Sequence, residues 1–323
     1  MQAPHRRMIA LLVACCALGA GAIGVTHAAF NGQTANAGNR ISAAPDFRAP
    51  TITSVAVGKT AGGATGSLRP GATYYVYANV TDVGNPPSGV ATVRANVSSL
   101  TAGQTALPLA AGSYTVGGQT FNYRSASRIA AAGLPAGSLS FTVTATDVAG
   151  NAATRNGSVA IDITVPTGTD VQTANKAGGI AGKAEQGDSI TWTFSEPVDP
   201  ESILAGWSGA ATTVSARMRN GGNPFGDRLE VWNQAENATL PLGTLFFGRT
   251  DYISGTPAWF PGSIMTMSGS TVTLVLGTPS DPTDVAAGSG ALTWSPSSAA
   301  TDHAGNPVST AAVNEAPPAD RDF

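Results

Sequence analysis

From Phe47 onward, short stretches of alternating apolar and polar residues recur along the chain. Leu139, Phe141, Val143 and Ala145 alternate with Ser140, Thr142 and Thr144. Val159, Ile161, Ile163 and Val165 alternate with Ala160, Asp162 and Thr164, and Ile190, Trp192 and Phe194 with Thr191, Thr193 and Ser195. Val272, Leu274 and Leu276 repeat the pattern around Thr273 and Val275. A period of two sends one set of side chains into a core and the other outward, as a half-buried strand requires. Gly or Pro interrupts nearly every window of helix length. Many short strands separated by turn residues predict an all-β chain with two tandem antiparallel β-sandwich domains. The break falls at Pro166-Thr167-Gly168-Thr169. Domain one then spans 47–165 and domain two 168–323, the second with a long insert over about 215–262.

The N-terminus has a different pattern. Arg6 and Arg7 precede an apolar stretch from Met8 to Val25, and Thr26-His27-Ala28 supplies the small residues a signal peptidase reads. Residues 1–28 are therefore expected to be a cleaved signal peptide and 29–46 a polar linker. Cleavage removes Cys15 and Cys16, the chain's 2 cysteines. An alternative reading takes Leu12-Val13-Ala14-Cys15 as the site of a lipid-modified cysteine, which would anchor the protein through Cys15. Downstream, no apolar run approaches the ~20 residues of a spanning helix, so no transmembrane helix is expected in the mature chain. Charged residues make up only 11% and the formal net charge is −3, which gives no footprint for nucleic acid. Low charge with many Val, Ile and Thr also separates the chain from disordered sequences.

One short motif occurs twice, as Thr146-Asp147-Val148-Ala149-Gly150-Asn151 and as Thr301-Asp302-His303-Ala304-Gly305-Asn306. Its chemistry is that of a turn. The Asp side chain accepts backbone N–H groups, and Gly takes the left-handed conformation that completes a bulged hairpin. Gly150, Asn151, Gly305 and Asn306 are thus structural turn residues. This Thr-Asp-x-x-Gly-Asn segment, together with Thr193-Phe194-Ser195-Glu196-Pro197-Val198-Asp199, resembles bacterial Ig-like repeats of exported surface proteins. The resemblance implies Ig-like sandwiches in both domains. The segment after the signal, Ala29-Phe30 followed by a Thr/Asn stretch and Gly38-Asn39, resembles substrates of the SipW-type signal peptidase, which implies export.

Candidate chemistry is sparse. The mature chain has no cysteine, and His303 is its only histidine, in a variable position of the turn. Nucleophilic triads and zinc sites lack their residues. Glu196, Asp199 and Glu201 form a carboxylate cluster that reads as a solvated loop, so no enzyme activity is expected. Asp82, Asp147 and Asp302 follow strands. They either cap turns or contribute to calcium sites, since calcium takes oxygen ligands from loops; Ig-like repeats carry such sites between domains. No other cofactor is called for. The stretch 215–262 concentrates Arg217, Arg219, Arg228, Trp232, Tyr252 and Trp259. Tyr252 and Trp259 are the candidate ligand-binding residues, on a segment, Thr250 to Gly262, whose Gly and Pro breaks predict a surface loop; each ring either stands exposed as a contact or folds back to plug the end of the sandwich core. The expected function is that of an exported structural or adhesive protein of a bacterial cell surface or matrix, with an envelope protein or polysaccharide as partner. The alternative is a carbohydrate-binding module using the 215–262 aromatics.

Overall fold

The computed structural model describes residues 46–59, 64–84, 86–222, 226–317, 321 and 323. The signal peptide, Cys15 and all of the linker but Asp46 lie outside these residues. The described chain is all-β, in two successive sheets.

The first sheet is built from β1 (Thr51–Gly58), β2 (Ser67–Leu68), β3 (Thr73–Thr81), β4 (Val90–Asn96), β5 (Leu107–Val116), β6 (Gln119–Ser125), β7 (Arg128–Ile129), β8 (Gly137–Asp147) and β9 (Ala152–Ile161). Its order is β1-β3-β6-β5-β4-β8-β9-β2, with β7 beside β3. All pairings are antiparallel except β2 with β9, which is parallel. The second sheet comprises β10 (Gly168–Ala174), β11 (Ser189–Phe194), β12 (Thr212–Arg219), β13 (Arg228–Trp232), β14 (Thr239–Phe246), β15 (Ala258–Ser268), β16 (Thr271–Val275), β17 (Thr293–Ser295) and β18 (Val313–Asn314), in the order β10-β11-β16-β15-β12-β13-β14-β17-β18. One helical turn, α1 (Pro200–Ile203), is capped by Asp199, whose side chain accepts the Glu201 N–H.

Each sheet surrounds its own core. The alternating residues of β8 and β11 supply it: Phe141, Val143 and Ala145 in the first domain, Ile190, Trp192 and Phe194 in the second. Burying each large apolar side chain is worth ~1.5–3 kcal/mol, so this alternation fixes which face of each strand turns inward. The pattern overreaches at one place. Ile163 and Val165 lie beyond the end of β9 and are exposed, because the chain leaves the sheet at Ile161 to cross to the second domain.

The stretch 215–262 is built of sheet strands. It carries most of β12, all of β13 and β14 and the start of β15, at the middle of the second sheet. Trp259 likewise stands on β15 rather than on a loop. The register of β12 against β15 shifts between Val214 and Ser215. Pro261 sits at that irregularity, where a strand tolerates a residue with no N–H to donate.

The two Thr-Asp-x-x-Gly-Asn segments form the same turn. Gly150 and Gly305 both have φ of 95°, a region closed to most side chains by Cβ clashes. Gly150→Val is expected to destabilise the first domain by about 1 kcal/mol or more, read as a lower denaturation midpoint at unchanged m-value. A built Cβ meets nothing within 4 Å at Gly150, whereas at Gly305 it comes 3.2 Å from Lys59 Cδ. Gly305→Val is therefore expected to cost more, and to disturb the contact between domains.

Candidate metal centres at the domain entries

The turns place three acidic residues together in each domain, in the same arrangement. In the first domain these are Asp46, Asp82 and Asp147; in the second, Asp162, Glu196 and Asp302. Within each group one oxygen from every carboxylate lies within 4.8 Å of the others. The sources correspond. Asp46 and Asp162 belong to the segments entering their domains, ahead of β1 and β10. Asp82 follows β3 and Glu196 follows β11, the strands paired with β1 and β10. Asp147 and Asp302 open the turns.

The turn Asn locks each arrangement. Asn151 N donates to Asp147 Oδ1 at 2.7 Å and its carboxamide to Asp147 Oδ2 at 2.8 Å and to the Asp46 carbonyl at 3.2 Å. In the second domain the matching bonds run from Asn306 N and Nδ2 to Asp302 (2.8 Å each) and from Nδ2 to the Asp162 carbonyl at 3.1 Å. Asn is required because one carboxamide must reach the turn carboxylate and the entering backbone together. Asp cannot donate there, and Ala leaves the buried acceptors unmet.

The electrostatics of the two groups differ. The backbone N–H groups of Arg48 and Ser88 hold the Asp46 carboxyl below its ordinary value. Glu196 is displaced the other way, first by burial and then by the charges of Asp162 and Asp302. Its Oε1 is shielded and has no hydrogen-bond partner among the described residues. A carboxylate oxygen without a donor, set beside like charges, favours either a proton or a cation. A hard divalent cation with oxygen preference fits this donor set; zinc, which favours nitrogen and sulfur, does not.

Of the residues picked out from the sequence, Asp82, Asp147 and Asp302 all belong to these groups. Asp46, Asp162 and Glu196 were not anticipated as their partners. Asp199 is elsewhere engaged. It caps α1 and forms an ion pair with Lys59 of the first domain, Nζ to Oδ2 at 3.1 Å. His303 has a half-exposed side chain, with Nδ1 3.8 Å from Asp199 Oδ1. Tyr252 does not contact solvent. It is fully buried, tilted against Phe247 at 5.0 Å and edge-on to Phe323 at 6.4 Å. Its loop folds back as a plug, because Asp227 Oδ2 accepts both the Tyr252 and Ile253 N–H groups. Trp259 is half-buried on the outer face of β15.

No protein-family model matches the chain, and no curated protein matches it. No helix among the described residues is long and apolar enough to cross a membrane.

Proposed function

We propose that the chain is an exported, non-enzymatic structural or adhesive protein of a bacterial cell surface or extracellular matrix, with two Ig-like domains joined by a braced, cation-responsive linker. The observation that carries this reading is the joint itself. Lys59 Nζ donates to Asp199 Oδ2 and to the Asp302 carbonyl, both at 3.1 Å. Arg69 N donates to the Ala304 carbonyl at 3.0 Å. Asn306 ties the same turn to the linker carbonyl of Asp162. A spacer or adhesive module needs defined geometry between its domains, and bonds from two separated segments of one domain to a single turn of the other provide it. The carboxylate group of the second domain lies at this joint, so a bound calcium ion would add a further cross-link between linker, strand end and turn.

Lys59→Met keeps most of the apolar stem and removes the ammonium. It is expected to leave both domains folded while loosening the joint. Small-angle scattering of the exported chain should show a larger radius of gyration, and protease should cut between Asp162 and Gly168 several-fold faster. Identical scattering and cleavage for variant and wild type would show that the joint is not braced by Lys59.

A further inference from the structure

The outer face of the second sheet carries a patch dense in arginine and tryptophan. On β11 and β16 the outward positions are Ser189, Thr191, Thr193, Thr271, Thr273 and Val275. On β12, β13 and β15 they include Arg217, Arg219, Arg228, Glu230, Trp232 and Trp259, all half-buried across one another. Cross-strand register brings Arg217 opposite both Trp259 and Glu230, and Arg219 opposite Arg228. The Arg217 guanidinium lies 5.1 Å from the centre of the Trp259 ring, and Trp232 meets Trp259 edge-on at 5.2 Å. The opposite sides of the same strands, Ala216, Met218, Leu229, Val231 and Phe260, fill the core. The patch is therefore not required for that packing.

Its charges are unevenly satisfied. Arg219 grips Glu230 through Nη2, at 2.9 and 3.0 Å from the two carboxylate oxygens. Arg217 and Arg228 form no ion pair among the described residues. The Nε–H of all three arginines, and the indole N–H of Trp232, are shielded from water and have no acceptor among the described residues. Every orphan is a donor. Orphaned donors of this kind cost free energy in the unliganded protein, and an arginine that surrenders no ion pair can turn to a ligand at little cost. The ligand that complements the patch brings acceptors, negative charge matched to a planar fork, and flat apolar faces for the indoles. In a chain with 20 acidic and 17 basic residues this local excess of arginine also steers anions to one face.

We infer that the outer face of β12, β13 and β15 is a binding surface for an acidic polysaccharide bearing carboxylates on its sugar rings. The inference rests on the adhesive reading and names its partner class. Beside the patch lies a groove of about 250 Å³ lined by Glu230, Pro241, Thr244 and Ser297, which extends the surface along β14.

The test uses the exported chain and tryptophan fluorescence, with polygalacturonate as ligand, dextran as neutral polymer and poly(glycerol phosphate) as phosphate polymer. Polygalacturonate is expected to perturb the emission, with affinity falling as salt rises. Arg217→Gln and Arg228→Gln are each expected to weaken binding about tenfold or more at unchanged melting temperature. Arg217→Lys should fall between, since it keeps the charge and loses the fork. Equal binding by the variants, equal binding of dextran, or preference for the phosphate polymer would overturn the inference. Failure to bind polygalacturonate would overturn it too, and would leave the Lys59 and calcium results, which decide the structural reading, to be judged separately.

Discussion

Millimolar calcium is expected to raise the melting temperature of the protein, most clearly for the second domain, and chelator to reverse it. A ligand held only by the native state stabilises it by RT ln(1 + [L]/Kd), about 2.7 kcal/mol at a hundredfold excess over Kd. The pH dependence supplies an independent check through Glu196. Burial and the neighbouring carboxylates raise its pKa above the ordinary 4.5. In chelator, its contribution to stability is therefore fully present below the ordinary carboxylate pKa and is lost as pH rises through the raised native value. Calcium requires the ionised form, so its stabilisation should grow over that same interval. Glu196→Gln removes the titration and an oxygen charge together, and should flatten both responses. Asp46, whose pKa is lowered, acts with the opposite sign: its contribution is present above the ordinary value and disappears as pH falls. Superimposable melting curves in calcium and chelator, at neutral and mildly acid pH, would leave both carboxylate groups as turn caps alone.

What the sequence discloses here follows the range of the interactions. The core strands β8, β11 and β16 are written in local alternation, and the paired turns in six consecutive residues each. The carboxylate groups were half visible. Asp147 and Asp302 announce themselves because their turn partners are four residues on, whereas Asp46 and Asp162 reach the same turns across 105 and 144 residues. No spacing in one sequence encodes that. The same limit explains Tyr252. Its loop reads as surface from its Gly and Pro content, yet Asp227, 25 residues earlier, captures its backbone, and Phe323 closes over the ring. Trp259 reads as part of that loop because Pro257 and Pro261 bracket it; the register shift opposite Ser215 is what lets the strand run through.

Asp302→Ala is expected to be among the most damaging single substitutions on the surface-proximal half of the second domain. Asp302 is 3% exposed. Its Oδ1 accepts the N–H groups of Gly305 at 2.6 Å and Asn306 at 2.8 Å, and its Oδ2 accepts the Asn306 carboxamide at 2.8 Å. Bonds to a charged acceptor are worth roughly 1.5–3 kcal/mol each, and donors left buried without one cost their full desolvation. With some relaxation the loss should be about 4 kcal/mol, a large share of the ~5–15 kcal/mol that holds a domain together. The damage should spread to the joint, because Asn306, once released, no longer holds the Asp162 carbonyl, and Lys59 loses the fixed position of the Asp302 carbonyl. Asp302→Asn separates the turn from the ion. Its remaining oxygen still accepts the two backbone N–H groups, while its NH2 faces the Asn306 NH2, donor against donor. It should therefore lose about half as much stability and the second domain's share of the calcium response, leaving that of the Asp46, Asp82 and Asp147 group. Chemical denaturation of both variants, with and without calcium, measures this directly. Asp302→Ala within about 0.5 kcal/mol of wild type would show that the turn does not depend on the carboxylate.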